Sequence, residues 1–195
     1  MSTFRFAIMG AGNIAHQFCD AVTLVEDCEV SAIASKDLGR AQKFAEECSV
    51  AHAYDNYEQM LIEEKPDCVY IAVTPNDHFR LTMLCLEHRV PVLCEKAMFT
   101  NSAEAKAVFE KAEKDQTFVM EAMWSRFLPA VNQAKKWAAE GKIGRLEALQ
   151  GRIGFLAPEG ADNRYHSPLL CGGAATDITV YAYEIATWLV NEPVC

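Results

Sequence analysis

The sequence predicts an α/β protein, a Rossmann-type doubly wound parallel sheet followed by the start of an α+β second domain. Three observations carry that reading. Short β-rich apolar runs alternate with helical patterns over residues 1–121. Those runs lack clean polar alternation, as strands covered on both faces do. A glycine-rich turn, Gly10-Ala11-Gly12, joins the first strand pattern to the first helical one.

Taken in order, Phe4-Arg5-Phe6-Ala7-Ile8-Met9 reads as a strand, 14–25 as a helix and 29–34 as a second strand. Residues 38–47 are helical, with Leu38, Ala41, Phe44 and Ala45 on one face. A short third strand is expected at 51–53, and a helix over 57–64 that stops before Pro66, because the residue preceding a proline avoids the α region. Residues 68–73 form the strongest strand pattern. A helix over 77–88, a strand over 90–94, a helix over 102–114 and a strand over 117–120 complete the alternation. Strict β-α order implies right-handed crossovers, so residues 1–121 read as one dinucleotide-binding domain.

From residue 122 the texture changes. A helix is expected over 128–140, ending at Gly141 as its C′ residue. A strand over 146–156, a polar loop over 158–173 and one helix over 174–190 follow. One strand and one helix cannot bury a sheet domain by themselves, so residues 122–195 read as the N-terminal part of a second, incomplete domain. Apolar faces of its helices are expected to be exposed and to favour association.

Composition narrows the function. Of 195 residues 51% are hydrophobic and 23% charged, with 18 basic against 27 acidic side chains, a net charge of −9. Such a chain is globular rather than disordered. Its negative balance, with no compensating Lys/Arg cluster, argues against nucleic-acid binding. The longest apolar runs are strand-length, far below the roughly 18 residues of a membrane helix. Met1 leads directly into a strand pattern rather than a leader peptide, so a soluble, cytoplasmic protein is expected. The eight cysteines form no C-x-x-C pair and read as reduced, mostly buried thiols, with no zinc site implied.

Gly10-Ala11-Gly12-Asn13-Ile14-Ala15 fits the dinucleotide fingerprint G-x-G-x-x-A. Gly10 permits the tight turn, Gly12 lets a pyrophosphate approach the backbone, and Ala15 lets helix and strand pack closely. The phosphates meet free N–H groups and the positive end of the helix dipole. After the second strand, Ser35, Lys36 and Arg40 offer a hydroxyl and two cations suited to a 2′-phosphate. Asp37 nearby argues the other way, so NADP is favoured with NAD retained as the alternative. Lys36 and Arg40 also read as solvated surface charges. At the carboxyl edge of the 68–73 strand, Thr74-Pro75-Asn76-Asp77-His78 faces the expected crevice. Asn76 is equally suited to cap the next helix, and His78 to lie on the surface.

Five segments recur in one order: Gly10 to Ala15, Thr74 to His78, Glu95-Lys96-Ala97, Met120-Glu121-Ala122-Met123-Trp124-Ser125-Arg126-Phe127, and Gly172-Gly173-Ala174-Ala175-Thr176-Asp177-Ile178-Thr179-Val180-Tyr181. This resembles the glucose–fructose oxidoreductase/inositol dehydrogenase (Gfo/Idh/MocA) family. Within it the chain is most similar to the branch of dimeric dihydrodiol dehydrogenases and NADP-dependent xylose dehydrogenases. The resemblance implies that Glu95 and Lys96 stand at the cofactor, with Lys96 holding the nicotinamide ribose and assisting proton transfer. It implies that Asp177 and Tyr181 form the catalytic pair, tyrosine replacing histidine in this branch. It also implies that Trp124 and Arg126 line the cofactor site and that Thr74, Pro75, Asn76 and His78 form its ribose-contacting loop. A longer second domain and a homodimer are implied as well.

Those implications suit the residues. Asp177 and Tyr181, four apart, are expected on one helix face. Hydride removal from a secondary alcohol needs a base for the hydroxyl proton, while the nicotinamide carries the hydride. A free tyrosine titrates near pH ~10 and needs a neighbouring cation such as Lys96 to act. Without the resemblance, Tyr181 reads as a packing aromatic and Lys96 as a solvated lysine. Ala97 stands where the family has proline and leaves the peptide geometry open, because a non-proline cis bond costs roughly 2.5–4 kcal/mol. Cys171 and Thr179 replace glycines usual in the family and are expected to narrow the space near the nicotinamide. The expected activity is an NAD(P)-dependent oxidoreductase acting on a sugar or cyclic diol. The rival reading is a non-catalytic NAD(P)-binding module or redox-sensing regulator. Phe155, Arg164, Tyr165 and His166 are candidates for substrate specificity.

Overall fold

The structure is a computed structural model that describes residues 3–160 and 163–190, so Cys195 lies outside the described residues. The chain divides into two compact units between Ala122 and Met123.

The first unit runs β1 (Phe4–Met9), α1 (Asn13–Val22), β2 (Cys28–Ala34), α2 (Leu38–Cys48), β3 (His52–Tyr54), α3 (Tyr57–Glu64), β4 (Cys68–Ile71), α4 (Pro75–Glu87), β5 (Val92–Cys94), α5 (Ser102–Asp115) and β6 (Val119–Glu121). The six strands are parallel in the order β3-β2-β1-β4-β5-β6. The order reverses between β1 and β4, which Met9 sets in register with Ala34 on one side and Ile71 on the other. This is the doubly wound topology, and its ligand crevice lies beyond the carboxyl ends of β1 and β4.

Both faces of the sheet are buried, which explains the near-continuous apolar runs. Ala7 and Met9 face a cluster with Met60 and Leu61 of α3 and Leu81 and Cys85 of α4. Ile8, between them, faces Ala15 and Cys19 of α1, Phe44 of α2 and Tyr70. Phe18 stacks on Tyr70 with ring centroids 4.0 Å apart. Fully buried side chains such as Ile8, Ile33 and Ile71 each contribute about 1.5–3 kcal/mol.

Helix starts differ in a telling way. Asp37, Asn56 and Asn101 cap α2, α3 and α5, each side chain accepting from the N–H three residues on. Gly12 and Thr74, ahead of α1 and α4, make no such bond. The helix expected at 77–88 starts two residues earlier, because Pro75 suits the first turn. Asn76 therefore sits inside α4 and does not cap it.

The second unit holds a 3₁₀ turn (Trp124–Phe127), α6 (Pro129–Ala139), a 3₁₀ turn (Pro168–Leu170), α7 (Ala174–Asp177) and α8 (Thr179–Val190). Gly141 follows α6 at φ +69°, as a C′ residue does. Two expectations fail here. Residues 146–156 form no strand, since a strand needs a partner for its N–H and C=O groups and none stands beside them among the described residues. The single helix over 174–190 is broken at Ile178, at φ −126° and ψ −33°. The run Ile178-Thr179-Val180 is β-branched and weakens the helix there. The Thr176 hydroxyl also turns back onto the Cys171 and Gly173 carbonyls, at 2.5 and 3.2 Å. Asp177 ends α7 and Tyr181 lies in α8, so the expected shared helix face does not exist.

Candidate coenzyme and catalytic site

The glycine turn closes over the crevice end of the sheet. Gly10 has φ +109° and donates its N–H to Ala34 O at 2.8 Å, while the Ala72 N–H reaches Met9 O at 2.8 Å. A Cβ at Gly10 would stand 2.6 Å from Ala72 O, so β4 passes too close for any side chain. At Gly12 the nearest atom to such a Cβ is Ala72 O at 3.9 Å, which leaves an open approach above the backbone. Asn13 and Ile14 are exposed in the first turn of α1 and Ala15 is fully buried beneath it. With no side-chain cap, the first N–H groups of α1 are left for water or an anion. These residues fit a dinucleotide pyrophosphate.

At the end of β2, Arg40 Nη2 donates to Ala11 O at 3.2 Å and holds a guanidinium against the glycine turn. Asp37 spends one carboxylate oxygen on the Arg40 N–H at 2.9 Å, as the α2 cap. Ser35 is buried, and its hydroxyl accepts from the Asp37 N–H at 3.4 Å. Lys36 is not simply solvated. Its Nζ lies 2.5 Å from Asp77 Oδ2, and Arg80 Nε stands 3.4 Å from the other oxygen. Burial opposes ionisation of Asp77, but the bond and charge of Lys36, with Arg80 behind it, hold its carboxyl below the usual range.

The next loop corrects one assignment. His78 has no exposed surface, so it is not the surface histidine that the sequence also allowed. Its nitrogens stand 3.0 Å from Ala97 O and 3.0 Å from Val73 O, tying the α4 entry to the segment after Lys96. Burial pushes its pKa below the ordinary value, against the opposing pull of the Val73, Ala97 and Met98 carbonyls. Thr74, Pro75 and Asn76 form the open start of α4.

Glu95 and Lys96 leave β5 at the same edge. The peptide left open by Ala97 is cis between Lys96 and Ala97. Tyr70 donates to Glu95 Oε1 at 2.6 Å, and the Met98 N–H donates to Glu121 Oε1 at 2.9 Å. Burial raises the Glu95 pKa, the Tyr70 bond opposing it. In the second unit, Trp124 Nε1 donates to Tyr181 Oη at 3.0 Å, with the two rings edge to face. Arg164 Nη1 lies 3.5 Å from Asp177 Oδ1 and its guanidinium covers the Tyr165 ring, which packs edge-on against Phe155. Thus Phe155, Tyr165 and Arg164 form a chain of contacts that ends at Asp177, while His166 lies 3.2 Å from Pro158 O.

One functional-looking residue escaped the sequence reading. Glu184 is buried, accepts from Ser125 Oγ at 3.1 Å and pairs with Arg126 Nε. Arg126 in turn lies 4.5 Å over the Trp188 ring of the same unit. The available signal was a lone carboxylate in an otherwise apolar helix. Among the described residues seven cysteines are free thiols, with burial pushing Cys19 and Cys68 up to about 12. No three His, Cys, Asp or Glu side chains gather there as a metal set, and no described helix is long and apolar enough to cross a membrane.

Comparison with known proteins decides the family. Residues 4–123 match the oxidoreductase family with an NAD-binding Rossmann fold, and residues 131–195 match the GFO/IDH/MocA C-terminal domain. The chain belongs to the Gfo/Idh/MocA family. It is 32% identical over 190 residues to a trans-1,2-dihydrobenzene-1,2-diol dehydrogenase of Mus musculus, covering 95% of this chain and 56% of that protein. It therefore spans little more than half the length of such Gfo/Idh/MocA relatives. Among solved structures it resembles GenD2 from gentamicin A biosynthesis in complex with NAD, with a TM-score of 0.85 at 16% identity over 100% of this chain and 55% of the other. It also resembles KijD10, a 3-ketoreductase from Actinomadura kijaniata in complex with TDP-benzene and NADP, with a TM-score of 0.68 at 26% identity over 74% and 44%.

Proposed function

We propose that this Gfo/Idh/MocA chain serves an NADP-dependent oxidoreductase acting on a secondary alcohol of a sugar or cyclic diol. The observation that carries the reading is the uncapped N-terminus of α1 beneath an open Gly12, at the point where the strand order reverses. The Arg40 guanidinium against Ala11 supports NADP over NAD, because it places a cation beside the turn while Asp37 is engaged as a cap. When bound, the nicotinamide supplies or accepts the hydride. Lys96 and Glu95 stand at the carboxyl edge of β5, where an alcohol's proton must be handled. Tyr181 is the proton-transfer group, oriented through its oxygen by the donor-only indole N–H of Trp124. Asp177, paired with Arg164 within the second unit, is the substrate-positioning carboxylate. The mouse relative's diol supports a cyclic substrate, and the exposed apolar side chains Phe155 and Leu156 support association into a dimer.

The test is turnover of aldoses and cyclic diols by wild type, Lys96→Met and Tyr181→Phe, with calorimetric NADPH binding alongside. Turnover should fall at least a hundredfold in each variant while NADPH binding survives. Unchanged turnover in both removes the catalytic assignment. Binding without turnover of any substrate by the wild-type chain supports the non-catalytic module instead.

A further inference from the structure

The salt bridge between Lys36 and Asp77 spans two loops that border one crevice. Lys36 directly follows Ser35 at the end of β2, and Asp77 lies in the first turn of α4, beyond β4. The ammonium sits 2.5 Å from Asp77 Oδ2. Arg80, one turn along α4, approaches the other carboxylate oxygen at 3.4 Å. Only 17% of the Asp77 side chain is exposed, against 67% for Lys36, so the carboxylate is the fixed partner and the lysine the mobile one.

Two cations border the place where a 2′-phosphate would sit, and they are held differently. Arg40 rests on a neutral acceptor, the Ala11 carbonyl, and keeps its full charge toward a ligand. Lys36 rests on a carboxylate that already neutralises it. A 2′-phosphate must compete with Asp77 for Lys36 and also meets the negative field of that carboxylate. An adenosine ribose without the phosphate meets neither obstacle.

We propose that Asp77 is a specificity-determining residue that holds Lys36 away from the coenzyme and so limits the preference for NADP over NAD. The inference rests on the coenzyme reading above and refines it. Arg40 supplies the attraction for the 2′-phosphate, and Asp77 sets how much Lys36 adds. Replacing the carboxylate by its amide releases the lysine while keeping the shape of the first turn of α4.

The experiment is calorimetric titration of the full chain with NADPH and with NADH, for wild type, Asp77→Asn, Lys36→Met, the Asp77→Asn/Lys36→Met double variant and Arg40→Ala. Asp77→Asn should tighten NADPH about two- to fivefold, the scale set by an exposed ion pair, and leave NADH unchanged. That gain should vanish in the double variant, because no lysine remains to be released. Taking the NADPH/NADH ratio within one variant cancels any common loss of folded protein, and a thermal melt of each variant confirms folding. An unchanged ratio in Asp77→Asn, or an equal gain without Lys36, overturns the inference while Arg40-dependent selectivity keeps the coenzyme reading intact. If neither nucleotide binds, or if Arg40→Ala leaves the ratio untouched, the coenzyme reading itself fails and this one with it.

Discussion

Gly10 and Gly12 belong to one motif, yet alanine at each should fail for different reasons. At Gly10 an added Cβ would stand 2.6 Å from Ala72 O, 2.8 Å from Ala72 C and 2.8 Å from Val73 Cγ1. Two of those three atoms are backbone of the chain leaving β4, so no rotamer relieves the overlap. The residue also holds φ +109°, where an L side chain is strained by about 1–3 kcal/mol. Overpacking against a fixed neighbour adds about 1–3 kcal/mol. Gly10→Ala should therefore cost about 2–6 kcal/mol of a total stability that is about 5–15 kcal/mol for a domain. At Gly12 the backbone lies at φ −107° and ψ 176°, open to any residue, and the nearest contact of a Cβ is 3.9 Å away. Gly12→Ala should change stability by less than about 1 kcal/mol. Its methyl group projects where a pyrophosphate must approach, so NADPH affinity should fall tenfold or more. Urea unfolding followed by circular dichroism gives the first quantity and calorimetric titration the second. Equal destabilisation by the two substitutions, or undiminished NADPH binding by Gly12→Ala, refutes the separation of roles.

Two further outcomes follow from buried groups. His78 has its pKa lowered by burial, so the unfolded chain takes up a proton before the folded one does. Stability from this residue is complete above its ordinary value of 6.5 and declines as pH falls through that value toward the folded pKa. Unfolding free energies of wild type and His78→Gln measured between about pH 5 and pH 7.5 should diverge at the upper end; convergence there with divergence at the acid end reverses the assignment. Glu184→Leu removes the partner of a half-exposed Arg126 and of the Ser125 hydroxyl, so it should destabilise the second unit by about 1–3 kcal/mol. Faster proteolysis confined to residues beyond Ala122 would show that loss, and wild-type resistance would deny it.

Much of the first unit was legible because its signals are local. Apolar runs such as Val69-Tyr70-Ile71, the glycine turn and Pro75 act through neighbours in sequence, and the strands and helices follow them. What escaped depends on distant partners. Nothing near His78 in sequence announces that Val73 and Ala97 carbonyls enclose its ring. Lys36 and Asp77 are 41 positions apart, and Ser125 and Glu184 are 59 apart. The break at Ile178 follows the β-branched run Ile178-Thr179-Val180, a local signal weaker than the apolar helical pattern that surrounds it. Residues 146–156 carry a strand composition that becomes a strand only beside another strand.

The pattern of helix caps bears on how the first unit responds to a ligand. Asp37, Asn56 and Asn101 each satisfy an N–H that would otherwise be unpaired, an effect of about 1 kcal/mol per cap. The two helices that open onto the strand-order reversal do without. Gly12 has no side chain to offer, and Thr74 has a hydroxyl suited to the task but makes no capping bond. Stability is thus withheld at the two places where an anionic or hydroxyl-bearing ligand would restore it. A chain built this way should gain stability from its coenzyme beyond what the same site with capped helices would show. At a free NADPH concentration of a hundred times Kd, mass action alone gives about 2.7 kcal/mol. If α1 and α4 owe their missing caps to ligand binding, hydrogen exchange at Asn13, Ile14 and Asn76 should slow on NADPH addition more than at the first turns of α2 and α5. Uniform slowing across all of these helices would mean that the open starts of α1 and α4 have no part in holding the nucleotide.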